Sequence, residues 1–90
     1  MTSLCAKLNA DFKRLTKDKL FITASVHPNF KDQIIIEGIK NLRTTGRFTD
    51  EDRDKVNTII NRHLETGNFE FKILANDPCM HNAVITCLED

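Results

Sequence analysis

Phe69-Glu70-Phe71-Lys72-Ile73 alternates apolar and charged side chains at every step. A period of two is the pattern of a half-buried β-strand. A strand needs a neighbour to bond with. Its candidate partner is Leu20-Phe21-Ile22-Thr23-Ala24-Ser25-Val26, where Leu20, Ile22, Ala24 and Val26 also alternate. The two segments are therefore coupled: both are strands or both are helical. Leu20–Val26 fits either reading. Leu4, Leu8, Phe12 and Leu15 recur at helical spacing, Ile22 and Val26 stay in phase with them, and no turn residue intervenes.

The rest of the chain tips the balance toward helix. Ser3 is a cap for a first helix. His27-Pro28-Asn29 is a break, because the residue before a proline is pushed from helical angles. Asn29 can cap a second helix, with Phe30, Ile34, Ile35, Gly38, Ile39 and Leu42 on one face and Gly46 as its stop. Gly38 inside that helix suggests close approach of a neighbour. Thr49-Asp50-Glu51-Asp52 is a strong start for a third, a short version of the capping box, and Val56, Ile59, Ile60, His63 and Leu64 form its buried face before Gly67. Asp77 and Pro78 open a last one, where Met80, Ala83, Val84, Cys87 and Leu88 fall on one helical face. The expected fold is all-α, a compact antiparallel bundle of five to six helices. The alternative is α+β with a small two-stranded sheet.

Ninety residues make one domain, 1–90. A chain of this size buries only about 60–65% of its unfolded surface. It has neither Trp nor Tyr, so six Phe supply the aromatic bulk, and most should be core anchors. Net charge is zero, which argues against a dedicated nucleic-acid binder and favours self-association. Cys5, Cys79 and Cys87 form no CxxC and are expected to be reduced thiols, at least two of them on packed helix faces. The N-terminus lacks the apolar core of a signal peptide, and no apolar run approaches the roughly 18 residues of a membrane span. The expected location is the cytoplasm. There is no linker, repeat or low-complexity segment.

Catalytic and metal chemistry find little support. Cys79 and His81 diverge on a helix, so they do not make a zinc pair, and no cofactor is expected. A Cys–His nucleophile would need an orienting third group and an oxyanion site, which spacing does not identify. His63 reads as a half-buried core histidine, with a pH switch possible in principle. The expectation is a non-enzyme.

Charge is the most suggestive feature outside the core. Residues 7–19 hold Lys7, Lys13, Arg14, Lys17 and Lys19 against Asp11 and Asp18. Residues 50–54 hold Asp50, Glu51, Asp52 and Asp54 against Arg53. A basic face and an acidic face would suit head-to-tail association.

With helices placed this way, the chain resembles a caspase-recruitment domain (CARD) of the death-fold superfamily. The stretch Ala83-Val84-Ile85-Thr86-Cys87-Leu88-Glu89-Asp90 is similar to the fifth helix of such domains. Residues 39–56, and the charged-then-apolar Lys17-Asp18-Lys19-Leu20-Phe21-Ile22, resemble the second-to-third helix join and the first helix. The resemblance implies homotypic binding to other death-fold proteins, or self-association, in apoptotic or inflammatory signalling, as an adaptor, decoy or caspase prodomain. It implies basic contacts at Lys13, Arg14 and Lys17 and acidic contacts at Asp50, Glu51, Asp52 and Asp54, with no nucleic acid or membrane partner. One rival is a small viral or bacterial α+β regulator that inhibits a host protein. Another is a helix-turn-helix around Gly46, which the acidic run would disfavour on DNA.

Overall fold

The computed structural model describes residues 2–40, 48–75 and 80–88. It contains two α-helices, α1 (Thr2–Phe12) and α2 (Asp50–Leu64), and a 3-10 helix over Lys13–Asp18. Four strands follow the order β1 (Leu20–Val26), β2 (Gln33–Lys40), β3 (Phe69–Ala75) and β4 (Met80–Cys87). They form one antiparallel sheet in the spatial order β1-β2-β4-β3. The fold is α+β, which overturns the all-α bundle. The sheet is also larger than the two-stranded alternative. Leu20–Val26 and Phe69–Ile73 are both strands, yet they lie at opposite edges and do not pair with each other.

Each correction has a local cause. The first helical run ends at Lys19, whose backbone turns left-handed at φ 65°, with its N–H donating to the Thr16 carbonyl at 3.0 Å. A lysine there carries no turn signature, so the helical phase seemed to run on. The second expected helix is strand β2. Three consecutive isoleucines, Ile34 to Ile36, are stiff at χ1 and suit a pleated surface. Asn29 caps no helix; its N–H donates to His27 Nδ1 at 3.0 Å in the β1–β2 connection. Gly46 and the Asp77-Pro78 cap lie outside the described residues, and the closing helix is strand β4. With a strand preceding residue 41, the helix-turn-helix is not formed. The sheet likewise removes the death-fold bundle, and the CARD expectations lose their support.

The α2 reading holds. Thr49 Oγ1 accepts from Asp52 N–H at 3.1 Å, and Asp52 Oδ2 accepts from Thr49 N–H at 3.0 Å, a complete capping box. Val56 and Ile60 are fully buried.

Both helices cover one face of the sheet. Leu8, Phe12, Leu15, Phe48, Val56 and Ile60 pack in one core with Leu20, Ile22, Ala24, Ile34, Ile36, Ala83 and Ile85. Phe12 and Phe48 are buried; Phe69 and Phe71 are half-buried, and Phe21 and Phe30 are exposed. Four of the six phenylalanines thus pack in or against the core, two of them only partly buried.

Candidate functional site

Register decides what the other face carries. Phe21 lies opposite Ile39, and Ile39 lies opposite Met80. These three side chains form one row across β1, β2 and β4 on the face away from the helices. They are 47%, 51% and 37% exposed. The adjoining row is Thr23, Glu37 and Asn82, followed by Ser25, Ile35, Val84 and Lys72. Ile35 and Val84 are half-buried. An apolar strip whose neighbours include Thr23, Asn82 and the charged Glu37 is thus open to a partner.

The two edges of the sheet differ. In β1, residues 21, 23 and 25 bond to β2, as the His27 N–H to Gln33 carbonyl bond fixes by parity. Ala24 therefore points its N–H and C=O outward. Asn9 on α1 meets both: its Nδ2 donates to the Ala24 carbonyl at 3.0 Å, and its Oδ1 accepts from Ala24 N–H at 2.8 Å. A side-chain amide stands in for a neighbouring strand at Ala24 and blocks a continuous ladder along that edge. β3 at the opposite edge has no such cover among the described residues.

Beneath the sheet, His81 is fully buried on the core side of β4. Its Nδ1 lies 2.8 Å from Arg53 Nη1, and its Nε2 lies 3.2 Å from Asn57 Oδ1. A guanidinium only donates, so Nδ1 accepts, the proton sits on Nε2, and the ring is neutral. Burial, reinforced by the Arg53 charge, holds its pKa below the usual 6.5. Arg53 also lies over the Phe48 ring, 5.3 Å from its centroid. Gly38 makes room here: a Cβ at that position would come within 2.7 Å of Ile22 Cδ1 and 3.1 Å of the His81 carbonyl. The close approach expected from Gly38 thus involves the two flanking strands, with the Phe48 ring 3.4 Å from the same Cβ position.

His63 is partly buried and pairs with Asp11 across the helices, Nε2 to Oδ2 at 2.6 Å. That hydrogen bond, helped by the Arg14 and Arg62 charges, lowers the Asp11 pKa against a smaller opposing effect of burial. His63 and Cys87 both line a cleft of about 410 Å³ with Lys7, Arg62 and Thr66. Cys87 forms no disulfide, and its backbone N–H donates to the Asp32 carbonyl at 2.8 Å. It sits on a strand and Cys5 is buried on α1, while Cys79 lies outside the described residues. The expected pair of cysteines on packed helix faces thus reduces to Cys5 among the described residues. No group of three or more metal-capable side chains occurs among the described residues.

The charged residues singled out in the sequence come closer together than two separate faces would put them. Lys13, Arg14 and Lys17 are exposed on the 3-10 helix. Asp50, Glu51 and Asp54 are exposed on the first turn and a half of α2. Arg14, Glu51 and Asp54 line one groove of about 460 Å³ whose apolar part is Leu15 and Ile59. Opposite charges this close weaken each other's field at longer range. Asp52 differs from its neighbours: it is 7% exposed and its carboxylate is committed to the α2 cap.

The apolar row and the sealed edge were missed in the sequence because both depend on strand register. Asn9 on a helix gives no local hint of its task 15 residues away. The alternation of Phe21 with Ile22 was visible once β1 was read as a strand. Among the described residues, no helix is long and apolar enough to cross a membrane. A scan against family models, a search of curated proteins and a search of solved structures found no match.

Proposed function

We propose that this chain is a non-enzymatic protein-interaction module that docks an uncharged, apolar segment of a partner protein on the open face of its sheet. The observation that carries this reading is the in-register row Phe21–Ile39–Met80, three large apolar side chains exposed side by side. Contiguous apolar surface rimmed by polar groups is a mark of interaction sites. The chemistry of the rim selects the partner. Thr23, Ser25 and Asn82 are uncharged, and Glu37 is the acid beside the row. Lys13, Arg14 and Lys17 sit on the 3-10 helix, whose Leu15 packs into the core on the helical side. Among the described residues, a nucleic-acid backbone or an anionic lipid surface would meet only Lys72 on the open face, beside the acids Glu37 and Glu70, and no cluster of positive charge. A regulator that works by covering a surface of its target fits this geometry. The unpaired thiols of Cys5 and Cys87 suit a reducing compartment, and we place the protein in the cytoplasm.

Site-specific photo-crosslinking in the cells that express the protein tests the reading. A photoreactive phenylalanine analogue at Phe21 should trap a discrete protein adduct, and Ile39→Glu should abolish it. The same analogue at Thr58, exposed on α2, should trap none. Identical adducts from both positions, or adducts indifferent to Ile39→Glu, would contradict it.

A further inference from the structure

We infer that a second copy of this chain pairs with β3, edge to edge and antiparallel, about a two-fold axis through Phe71. This goes beyond the docking face above and rests on a different part of the sheet. The backbone parity of β3 is fixed by its neighbour. The Leu88 N–H donates to the Asn68 carbonyl at 2.9 Å, and Asn68 and Leu88 extend the β3–β4 register. Residues 70 and 72 therefore bond to β4, and Phe69, Phe71 and Ile73 direct their N–H and C=O groups away from the sheet. Those outward groups have no hydrogen-bond partner among the described residues.

The sequence of this edge is self-complementary. An antiparallel pairing centred on Phe71 sets Phe71 opposite its own copy, Phe69 opposite Ile73, and Glu70 opposite Lys72. Each outward pair, Phe71–Phe71 and Phe69–Ile73, exchanges two main-chain hydrogen bonds. Glu70 and Lys72 are both exposed and project from the open face, so each meets a residue of opposite charge across the joint. On the helical side, Ile73 is 40% exposed and Phe69 and Phe71 are half-buried. Pairing lays these apolar side chains against one another at a margin that the helices leave bare.

Charged side chains on an edge ordinarily prevent such pairing. Here the one lysine is matched by the one glutamate at the symmetry-related position, so the deterrent becomes a specificity device. At the opposite edge Asn9 occupies the outward groups of Ala24 and interrupts a pairing ladder, and zero net charge removes general self-repulsion. The pairing stops naturally at the register shift between Ile73 and Ala75. Because the axis is perpendicular to the sheet, both helical layers lie on one side, and the two open faces join into one.

Sedimentation equilibrium over a range of concentrations tests the inference on the intact chain. The wild type should dimerise. Glu70→Lys and Lys72→Glu should each weaken the dimer at least about tenfold, while the double exchange E70K/K72E restores it. An equimolar mixture of the two single variants should form a heterodimer, since one then presents two lysines and the other two glutamates. Both sites are exposed, and circular dichroism confirms that each variant keeps its fold. Ile39→Glu should leave the dimer unchanged, which separates this joint from the docking face. A wild type that stays monomeric at millimolar concentration overturns the inference. So does a dimer that the single reversals leave intact.

Discussion

Asn9 and Ala24 are joined by two hydrogen bonds, the side-chain amide of one matching both backbone groups of the other. The helix thus completes the β1 ladder at its midpoint. Sheet edges are hazards for uncontrolled pairing, and this contact leaves β3 as the edge available to a partner.

Removing that amide should cost stability as well as specificity. Asn9→Ala strands two partly buried backbone groups, a loss of about 1–3 kcal/mol. Asn9→Asp keeps the acceptor for Ala24 N–H but sets a carboxylate against the Ala24 carbonyl, so it should be no better than Asn9→Ala near neutral pH. Urea unfolding measures both. Unfolding midpoints within error of wild type would show that the edge needs no seal.

Gly38 sits where β2 packs tightly against both of its neighbouring strands. Gly38→Ala forces a Cβ within 2.7 Å of Ile22 Cδ1 and 3.1 Å of the His81 backbone. The flexible isoleucine tip can move; the backbone carbonyl cannot do so as easily. We expect a loss of about 1–3 kcal/mol, read by thermal or chemical unfolding. An unchanged midpoint would mean that the strand shifts freely.

His81 imposes a pH dependence. Its folded pKa is lowered, so between that value and 6.5 the unfolded chain binds a proton that the folded chain does not. Stability is therefore complete above 6.5 and falls as pH drops below it, levelling off below the folded pKa. The thermal midpoint of wild type should drop more between about pH 7.5 and about pH 5.5 than that of His81→Gln, in which the other histidines are retained. Parallel curves for the two proteins would refute the neutral, buried imidazole.

Asp52 and Arg14 should separate cleanly. Asp52→Ala breaks the capping box and is expected to lose about 0.5–2 kcal/mol. Arg14→Glu changes an exposed groove residue and should shift stability by less than about 0.5 kcal/mol. Chemical unfolding of the two variants decides it. If Arg14→Glu proves the more damaging, the groove carries structural weight that its exposure does not suggest.

The parts of the fold that were legible in the sequence are those with local signals. Thr49 and Asp52 announce α2, and the alternation in Phe69–Ile73 announces β3. β4 was concealed because one of its inward positions is a histidine. His81, Ala83 and Ile85 do alternate inward, but the polar first member hides the period, and only Arg53 and Asn57 from α2 make its burial tenable. β2 was concealed by isoleucines on both faces and by a glycine at the inward position 38. With β4 read as helix, the neighbour of β3 vanished and its own clear pattern was overruled. Charge patterning suffered from the same error, since the groove shared by Arg14, Glu51 and Asp54 depends on how the helices pack.

The most direct test of the docking role is amide hydrogen exchange on the protein, free and bound to the partner that Phe21 captures. New protection should centre on the strand segments carrying Phe21, Ile39 and Met80, with α1 and α2 unchanged. Protection confined to the helices, or to the groove beside Arg14, would contradict it.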